Sequence, residues 1–147
     1  MVAKTHHPLV GSFITRLEEQ GRRITGSRSA VAWAVARQRG HFAVEQLCME
    51  LPQVGRATVY RNIKLLVDMG FVCRVLLEDG TLHYQISHSG HHHHMICTEC
   101  GASQDLLGCD ISGVLRETVA SSAFTVEGHW LEVYGRCRSC IERASRN

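Results

Sequence analysis

The sequence lacks any apolar run long enough to cross a membrane, which takes about 20 consecutive, mostly apolar residues. Its first residues, 1–7, also lack the apolar stretch of a secretory signal peptide. No His-Glu-x-x-His motif, the helical signature of many zinc hydrolases, is present. The seven cysteines are an odd number, which does not suit a framework of paired disulfides. We therefore expect a cytoplasmic protein whose cysteines stay reduced and available to bind metal.

Four of the cysteines form two Cys-x-x-Cys pairs, Cys97 with Cys100 and Cys137 with Cys140. Four thiolates in this arrangement make a tetrahedral zinc cage. Redox-active dithiols or buried cysteines are the alternatives, but two pairs in one short chain favour structural zinc. The segment between the pairs is longer than in a usual zinc ribbon. It should therefore contain an element of its own, which we predict to be a helix.

The N-terminal half is typical of four helices followed by a β-hairpin. Apolar side chains recur at helical spacing, and the fourth helix is predicted over 55–69. The predicted helices stop at Gly21, Gly40, Pro52 and Gly70. Two β-rich runs, 71–78 and 81–86, are joined by Asp79-Gly80, which favours a two-residue turn. Helices followed by a hairpin wing are an architecture used to read DNA.

The outward face of the fourth helix is basic and polar, and lysine and arginine outnumber acidic residues over residues 1–82. A helix fits the major groove, where arginine can hold guanine through two hydrogen bonds and lysine can reach phosphates. Charge alone also fits a solvated helix, or a winged helix that binds protein. The candidate DNA-binding residues are Arg56, Thr58, Tyr60, Arg61 and Lys64 on this helix, with Arg22, Arg23 and Arg28 ahead of the second helix.

Several short motifs occur in a fixed order along most of the chain. They are Gly21-Arg22-Arg23-Ile24-Thr25, His41 ahead of Ala43-Val44-Glu45-Gln46-Leu47, Ala57-Thr58-Val59-Tyr60-Arg61, the run His91–His94, and Tyr134-Gly135 before the second cysteine pair. Together they resemble the ferric uptake regulator family. The resemblance implies an α+β protein with a winged-helix DNA-binding domain at 1–84, a hinge at 85–90 and an α/β dimerisation domain at 91–147. Such a protein is a homodimeric, metal-dependent transcription regulator.

By the same resemblance, individual residues acquire roles on DNA. Tyr60 and Arg61 would read bases. Arg23 and Arg28 would touch the DNA backbone or minor groove. The expected partners are double-stranded operator DNA and a second copy of the chain, with no membrane.

The four consecutive histidines, His91–His94, directly precede the first cysteine pair. If they lie on a strand, alternate side chains point to opposite faces. His92 and His94 then share one face, while His91 and His93 share the other. One run can thus serve two separate metal sites, although a solvated polar loop is the alternative.

The resemblance assigns His92 and His94 to a regulatory metal site at the hinge between the domains. The further candidates for this site are Cys73 at the start of the wing, His88, Asp105 and His41. A thiolate from Cys73 beside imidazoles favours zinc, whereas iron(II) and manganese(II) prefer nitrogen and oxygen ligands. His88 could complete a Cys-His₃ zinc site. An iron or manganese sensor would instead use His41, His92, His94 and Asp105.

Two residues at the wing bear on the subclass. Gln85 stands where peroxide-responsive relatives would need Asp, which argues against that subclass. Cys73 has a simpler alternative role as a small apolar residue of the wing.

The other face of the histidine run points to an accessory site. His91 and His93 would join His129, which lies in a strand predicted over 124–134. Relatives usually add a glutamate from the long helix, but the matching residue here is Ser112. The site is therefore incomplete, or Glu117 or a neighbouring acid substitutes. Cys48 and Cys109 are interpreted as spare or buried thiols.

These observations predict a zinc-responsive repressor that binds its operator as a homodimer when regulatory zinc is bound, and not an enzyme. An iron- or manganese-responsive regulator of the same family is the alternative. A zinc-dependent thiol oxidoreductase is the alternative from another class. It needs an exposed, reactive cysteine, and cysteines bound to structural zinc are inert in that sense.

Overall fold

The computed structural model of the protein describes residues 7–87 and 90–146. The chain divides into two compact units. One contains the described residues of Met1–Leu76 and Gly80–Ser89, and the other those of Leu77–Asp79 and Gly90–Asn147. The hinge at 85–90 remains a prediction. No helix in the described ranges is long and apolar enough to span a bilayer.

Four helices open the first unit, close to the positions expected from the sequence. They are α1 (Pro8–Glu19), α2 (Gly26–Ala36), α3 (Val44–Glu50) and α4 (Arg56–Asp68). The side chain of Thr25 caps α2 by accepting a hydrogen bond from the Arg28 amide at 3.3 Å. Gly70 follows α4 with φ +77°, the left-handed conformation that ends many helices.

One apolar core holds these helices together. Each helix contributes at least one side chain that is at most 1% exposed: Phe13 and Leu17 from α1, Val31 and Val35 from α2, Leu47 from α3, and Val59, Ile63 and Leu66 from α4. Because α4 buries this face, its opposite face is left for solvent or a partner.

The wing of the first unit is an antiparallel hairpin of β1 (Val72–Leu76) and β2 (Leu82–Ile86). Leu76 lies opposite Leu82, so residues 77–81 connect the strands. The prediction of a two-residue turn at Asp79-Gly80 is therefore wrong. The connecting loop is longer, and the strands pair one residue away from the predicted register. Gly80 instead takes φ +83° within a longer loop, a conformation that longer hairpin loops also require.

The second unit is built on a three-stranded sheet in the order β4-β3-β5. β3 (His93–Cys97) pairs antiparallel with β4 (Ser103–Leu106) and parallel with β5 (Glu132–Gly135). As the central strand, β3 is buried at four of its five positions. It thus fixes the orientation of His93 and His94, whereas His91 and His92 directly precede the strand.

Two helices complete the second unit, α5 (Ile111–Val119) and α6 (Arg138–Ala144). The helix predicted between the cysteine pairs is α5, which shares that segment with β4 and β5. The strand predicted over 124–134 is too long, since β5 begins only at Glu132. Phe124 and Trp130 ahead of it are 71% and 54% exposed, so their apolar character does not report burial in a sheet.

Candidate functional site

The four cysteines of the two Cys-x-x-Cys pairs converge into a four-cysteine cluster. Cys97 ends β3, Cys100 lies in the following turn, and Cys137 and Cys140 lie at the start of α6. The Sγ atoms of Cys97 and Cys140 are 3.8 Å apart, as are those of Cys100 and Cys137. Sulfurs about 2.3 Å from a tetrahedral zinc ion would be separated by about 3.8 Å. The cluster therefore fits zinc, and it is too open for a disulfide.

Two thiols of this cluster have pKa values shifted in opposite directions. Backbone hydrogen bonds from Cys137 and Cys100 lower the pKa of Cys97 to about 6. The Cys137 amide nitrogen lies 3.3 Å from the Cys97 sulfur. Burial raises the pKa of Cys140 to about 12. Four thiolates at neutral pH therefore require a cation among them, because the protein groups alone ionise only some of these thiols.

A second cluster gathers His91, His93, His129 and Cys109. The three histidine Nε2 atoms form a triangle with sides of 3.1, 3.2 and 2.9 Å. The Cys109 sulfur lies 3.8 Å from Nε2 of His129. The segment before α5 thus brings Cys109, which the sequence analysis interpreted as a spare or buried thiol, next to the histidines. We call this set the His₃Cys cluster.

The surroundings of His93 in the His₃Cys cluster favour its neutral imidazole. His93 is 3% exposed, and burial lowers its pKa, with further lowering from His91 and His129. The substitute acid expected from Glu117 or its neighbours is not part of the cluster in the described ranges. Glu117 is exposed on α5, and the Ser112 carbonyl accepts a hydrogen bond from Arg116 at 3.1 Å.

His92, directly ahead of β3, and His94, within it, form a second pair of histidines, whose ring centroids are 5.2 Å apart. Nδ1 of His92 lies 3.0 Å from the Gly90 carbonyl, and Nδ1 of His94 lies 3.1 Å from the Glu132 carboxylate. Both partners are acceptors, so each Nδ1 carries the proton. Each Nε2 is then a lone-pair donor, the arrangement typical of metal-binding histidines.

Glu132 is a functional candidate that the sequence analysis missed. Its side chain is only 4% exposed, and it accepts a further hydrogen bond from the Trp130 indole at 3.0 Å. It lies directly opposite His94 in the parallel β3–β5 register. No local motif marks it, because that pairing joins segments far apart in sequence.

The exposed face of α4 forms a basic surface with the wing. Tyr60, Arg61 and Lys64 line a groove of about 310 Å³ together with Arg74 of β1 and Tyr84 of β2. Arg74 was not among the predicted residues, since its position beside α4 follows from the fold of the hairpin. We call this surface the α4–wing face.

Several contacts order side chains on and near the α4–wing face. Arg61 donates to the Thr58 hydroxyl at 3.1 Å, and Lys64 pairs with Asp68 at 2.8 Å. The Tyr60 hydroxyl donates to Glu45, which raises the pKa of Tyr60 and lowers that of Glu45. Arg56 is also exposed, at the first turn of α4.

The second cationic cluster lies ahead of α2. Arg22 and Arg23 are exposed, and Arg22 donates to Gln20 at 3.1 Å. Arg28 donates to the backbone carbonyl of Arg23, so its guanidinium also orders this loop. The two other arginines offer the exposed positive charge that a phosphate would meet.

Comparison with known proteins decides the family. The model of the ferric uptake regulator family matches residues 19–134. The chain belongs to the ferric uptake regulator family. Members of this family are metal-responsive regulators that bind DNA and are not enzymes.

The relatives within the ferric uptake regulator family respond to different signals. A ferric uptake regulation protein from Campylobacter upsaliensis is 30% identical over 138 residues, covering 90% of this chain and 88% of the relative. A peroxide-responsive repressor from Staphylococcus saprophyticus is 28% identical, covering 88% and 90%. The solved structure of a zinc uptake regulator complexed with zinc and DNA aligns with TM-score 0.78 at 22% identity, over 97% of this chain and 99% of that one.

The remaining regulatory candidates of this family member lie in both units. Cys73 is half-buried on β1 in the first unit, where its Sγ lies 3.5 Å from the Gln85 carbonyl. His41 lies in the same unit, with its Nδ1 2.8 Å from Nδ1 of His83. Asp105 is on β4 of the second unit, opposite His94 in the β3–β4 ladder. His88 falls outside the described residues.

Proposed function

We propose that this member of the ferric uptake regulator family is a zinc-responsive repressor that binds operator DNA as a homodimer. The donor set of the regulatory site carries the proposal. Cys73 would supply a thiolate, and His92 and His94 would supply imidazole nitrogens. Sulfur with nitrogen ligands favours zinc over iron(II) and manganese(II), which prefer oxygen and higher coordination numbers.

The hydrogen bonds of the two histidines support their role as ligands. Gly90 and Glu132 fix the proton on Nδ1 of His92 and of His94 respectively, so that each Nε2 is available to a cation. Glu132 would act as a positioning residue for His94, in the carboxylate–histidine–metal arrangement that raises ligand basicity. When bound, zinc would supply the positive charge that stabilises the Cys73 thiolate.

Regulation would follow from a difference in affinity. Zinc must bind the DNA-competent arrangement more tightly than the alternatives, and DNA must then tighten zinc binding by the same factor. For a typical coupling, zinc should tighten operator binding about 5- to 150-fold. The four-cysteine cluster would keep its zinc in both states as a structural element.

On DNA, α4 would enter the major groove. Tyr60 and Arg61 would read base edges, while Lys64 and Arg74 are placed on the same face to meet phosphates. Thr58 and Arg56 would complete the contact surface on α4, with Arg22, Arg23 and Arg28 near the backbone or minor groove.

A titration of operator binding with zinc, iron(II) and manganese(II) tests the proposal. We expect zinc to promote binding at the lowest free concentration. Cys73→Ser should abolish the zinc dependence while elemental analysis still finds the structural zinc. The matched control is Cys48→Ser, because Cys48 is also half-buried in the first unit and has no assigned role.

An iron- or manganese-responsive regulator is the second candidate, supported by the position of Asp105 opposite His94. A carboxylate with imidazoles would suit those ions. If Cys73→Ser keeps normal zinc dependence while His41→Ala and Asp105→Asn lose metal dependence, the zinc assignment is wrong. Binding of operator DNA that no metal changes would contradict both candidates.

A further inference from the structure

The His₃Cys cluster contains an arrangement that hydrogen bonds alone do not satisfy. Three Nε2 atoms lie within 3.2 Å of one another, one from each of His91, His93 and His129. A neutral imidazole Nε2 is either a donor or an acceptor. In a triangle of such atoms, at least one pair must therefore be two donors or two acceptors. A cation at the centre removes the conflict, because every lone pair can point at it.

The spacing of the cluster also matches a tetrahedral ion. Nitrogens bound to zinc at about 2.0–2.1 Å lie about 3.3–3.4 Å apart, and a bound sulfur lies about 3.6 Å from each of them. The observed nitrogen separations are 2.9–3.2 Å, and the sulfur of Cys109 is 3.8 Å from Nε2 of His129. Small shifts would bring all four atoms to zinc distance.

We propose that Cys109 is the fourth ligand of a closed zinc site with His91, His93 and His129. The Cys109 thiolate takes the place that Glu117 or a neighbouring acid was expected to fill. Replacing a carboxylate by a thiolate changes which ions the site prefers. Three nitrogens and one sulfur suit zinc or another borderline ion that accepts tetrahedral coordination, and they disfavour iron(II) and manganese(II).

The position of Cys109 suits this role. The Ile111 amide donates to its sulfur at 3.4 Å, so the backbone at the start of α5 holds the side chain in place. The thiol is half-buried, which leaves the ion a path to enter. Four ligands from the protein leave no open coordination position, so the site is structural in chemistry and not catalytic.

The ligands come from three separate parts of the second unit. His93 begins β3 and His91 lies just ahead of it, Cys109 precedes α5, and His129 precedes β5. No residue of α5, a helix described in full, is buried. Zinc at this site would therefore fasten the start of α5 and the segment before β5 to the sheet, a task that apolar packing performs in the first unit.

Cobalt(II) spectroscopy on the full chain tests the ligand set without reference to DNA binding. The parent protein is Cys73→Ser with zinc in the four-cysteine cluster, so that Cys109 and Cys48 are the remaining free thiols. Added cobalt(II) should bind with the spectrum of a tetrahedral ion and a thiolate-to-cobalt charge-transfer band. Elemental analysis before and after the addition checks that structural zinc is retained.

Two further variants in the Cys73→Ser background show which cysteine gives the charge-transfer band. Adding Cys48→Ser should change nothing, whereas adding Cys109→Ser should remove the charge-transfer band. Loss of a direct ligand should weaken zinc binding, measured by competition with a chelator, by at least about tenfold, the lower bound known for second-shell substitutions. Serine is close in size to cysteine, and unchanged structural zinc and circular dichroism would show that the fold persists.

The zinc dependence of thermal unfolding gives an independent measure. Zinc should raise the unfolding temperature of the second unit in the parent, and by much less in the Cys109→Ser and His129→Ala variants. A charge-transfer band and zinc affinity that survive Cys109→Ser would overturn the inference. So would a parent protein that binds cobalt(II) without any thiolate band. Neither result would bear on the zinc-sensing role proposed above, since the background already lacks Cys73.

Discussion

Each of the two units is stabilised internally by a different kind of interaction. In the first unit, four helices share a core of fully buried apolar side chains. In the described part of the second unit, the buried residues are Ile96, the cysteines Cys97 and Cys140, and the histidines His93 and His94. Most of these are candidate metal ligands. The first unit should thus fold by hydrophobic burial, whereas the second depends on metal for much of its stability.

The largest expected effect is the loss of the four-cysteine cluster. Cys97→Ser or Cys137→Ser should unfold the second unit or prevent its dimerisation, because structural zinc contributes on the order of 10 kcal/mol of apparent folding energy. Zinc content, sedimentation and calorimetry would measure the effect, with the first unit keeping its own transition. A variant that keeps full zinc content and full dimerisation would show that the second unit is not held by this metal.

Acid should reproduce that loss without mutation. The pKa of Cys97 is lowered to about 6 in the folded protein, so its thiolate stabilises the fold above the ordinary thiol pKa. In the metal-free cluster that stabilisation is lost as pH falls through about 6. Because protons compete with zinc for the thiolates, zinc affinity should weaken as pH falls and the metal should be released in acid. Released zinc, followed with a chromophoric chelator from pH 8 to 5, should precede any unfolding of the first unit. Simultaneous unfolding of both units would contradict the idea that only the second unit depends on metal.

A cavity in the apolar core should destabilise the first unit and leave the second unit and its zinc unaffected. Phe13 is 1% exposed, and Phe13→Ala should cost about 3–5 kcal/mol in the unfolding of the first unit. Zinc content should remain normal. Denaturant unfolding followed separately for each unit would measure this. A matched control is Phe124→Ala, since Phe124 is 71% exposed in the second unit.

Removing a base-reading side chain should affect DNA binding without affecting metal. Tyr60→Ala and Arg61→Ala should each cost about 1–3 kcal/mol in discrimination between operator and random DNA. Arg28→Ala should weaken binding to both DNAs and flatten the salt dependence. Titrations on both DNAs at two salt concentrations distinguish these patterns. Equal losses on both DNAs in all three variants would show that α4 does not read sequence.

An effect of similar size on metal binding should come from the buried carboxylate beside His94. Glu132→Gln keeps the shape but weakens the hold on the His94 Nδ1 proton, and zinc activation of operator binding should need about 10- to 100-fold more metal. Structural zinc and the stability of the first unit should not change. Glu127→Gln is a control in the same segment. An unchanged zinc requirement would exclude a positioning role for Glu132.

The sequence predicted the parts of the molecule whose signals are local. Apolar spacing and terminal glycines gave the helices of the first unit close to their observed bounds. The alternation of strand side chains separated His92 and His94 from His91 and His93. Both signals depend on neighbouring residues along the chain, which a single sequence displays directly.

The features that sequence analysis missed depend on which distant segments meet. Glu132 pairs with His94 only through the parallel register of β3 and β5. Cys109 reaches His129 through the path of the chain between β4 and α5, and a lone cysteine carries no spacing signal. Arg74 joins the α4–wing face through the fold of the hairpin. The wing turn failed for a related reason, since Asp79-Gly80 fits more than one loop length.

The position of two ligand sets on opposite faces of one strand has a consequence for insertions and deletions. Adding or removing one residue between His94 and Cys97 would leave the composition and every motif nearly unchanged. It would nevertheless turn each histidine to the other face, because side chains alternate with a period of two. Both ligand sets would then be scrambled at once. Spacing within β3, more than the number of histidines, is therefore the property to compare when ligands are transferred between aligned chains.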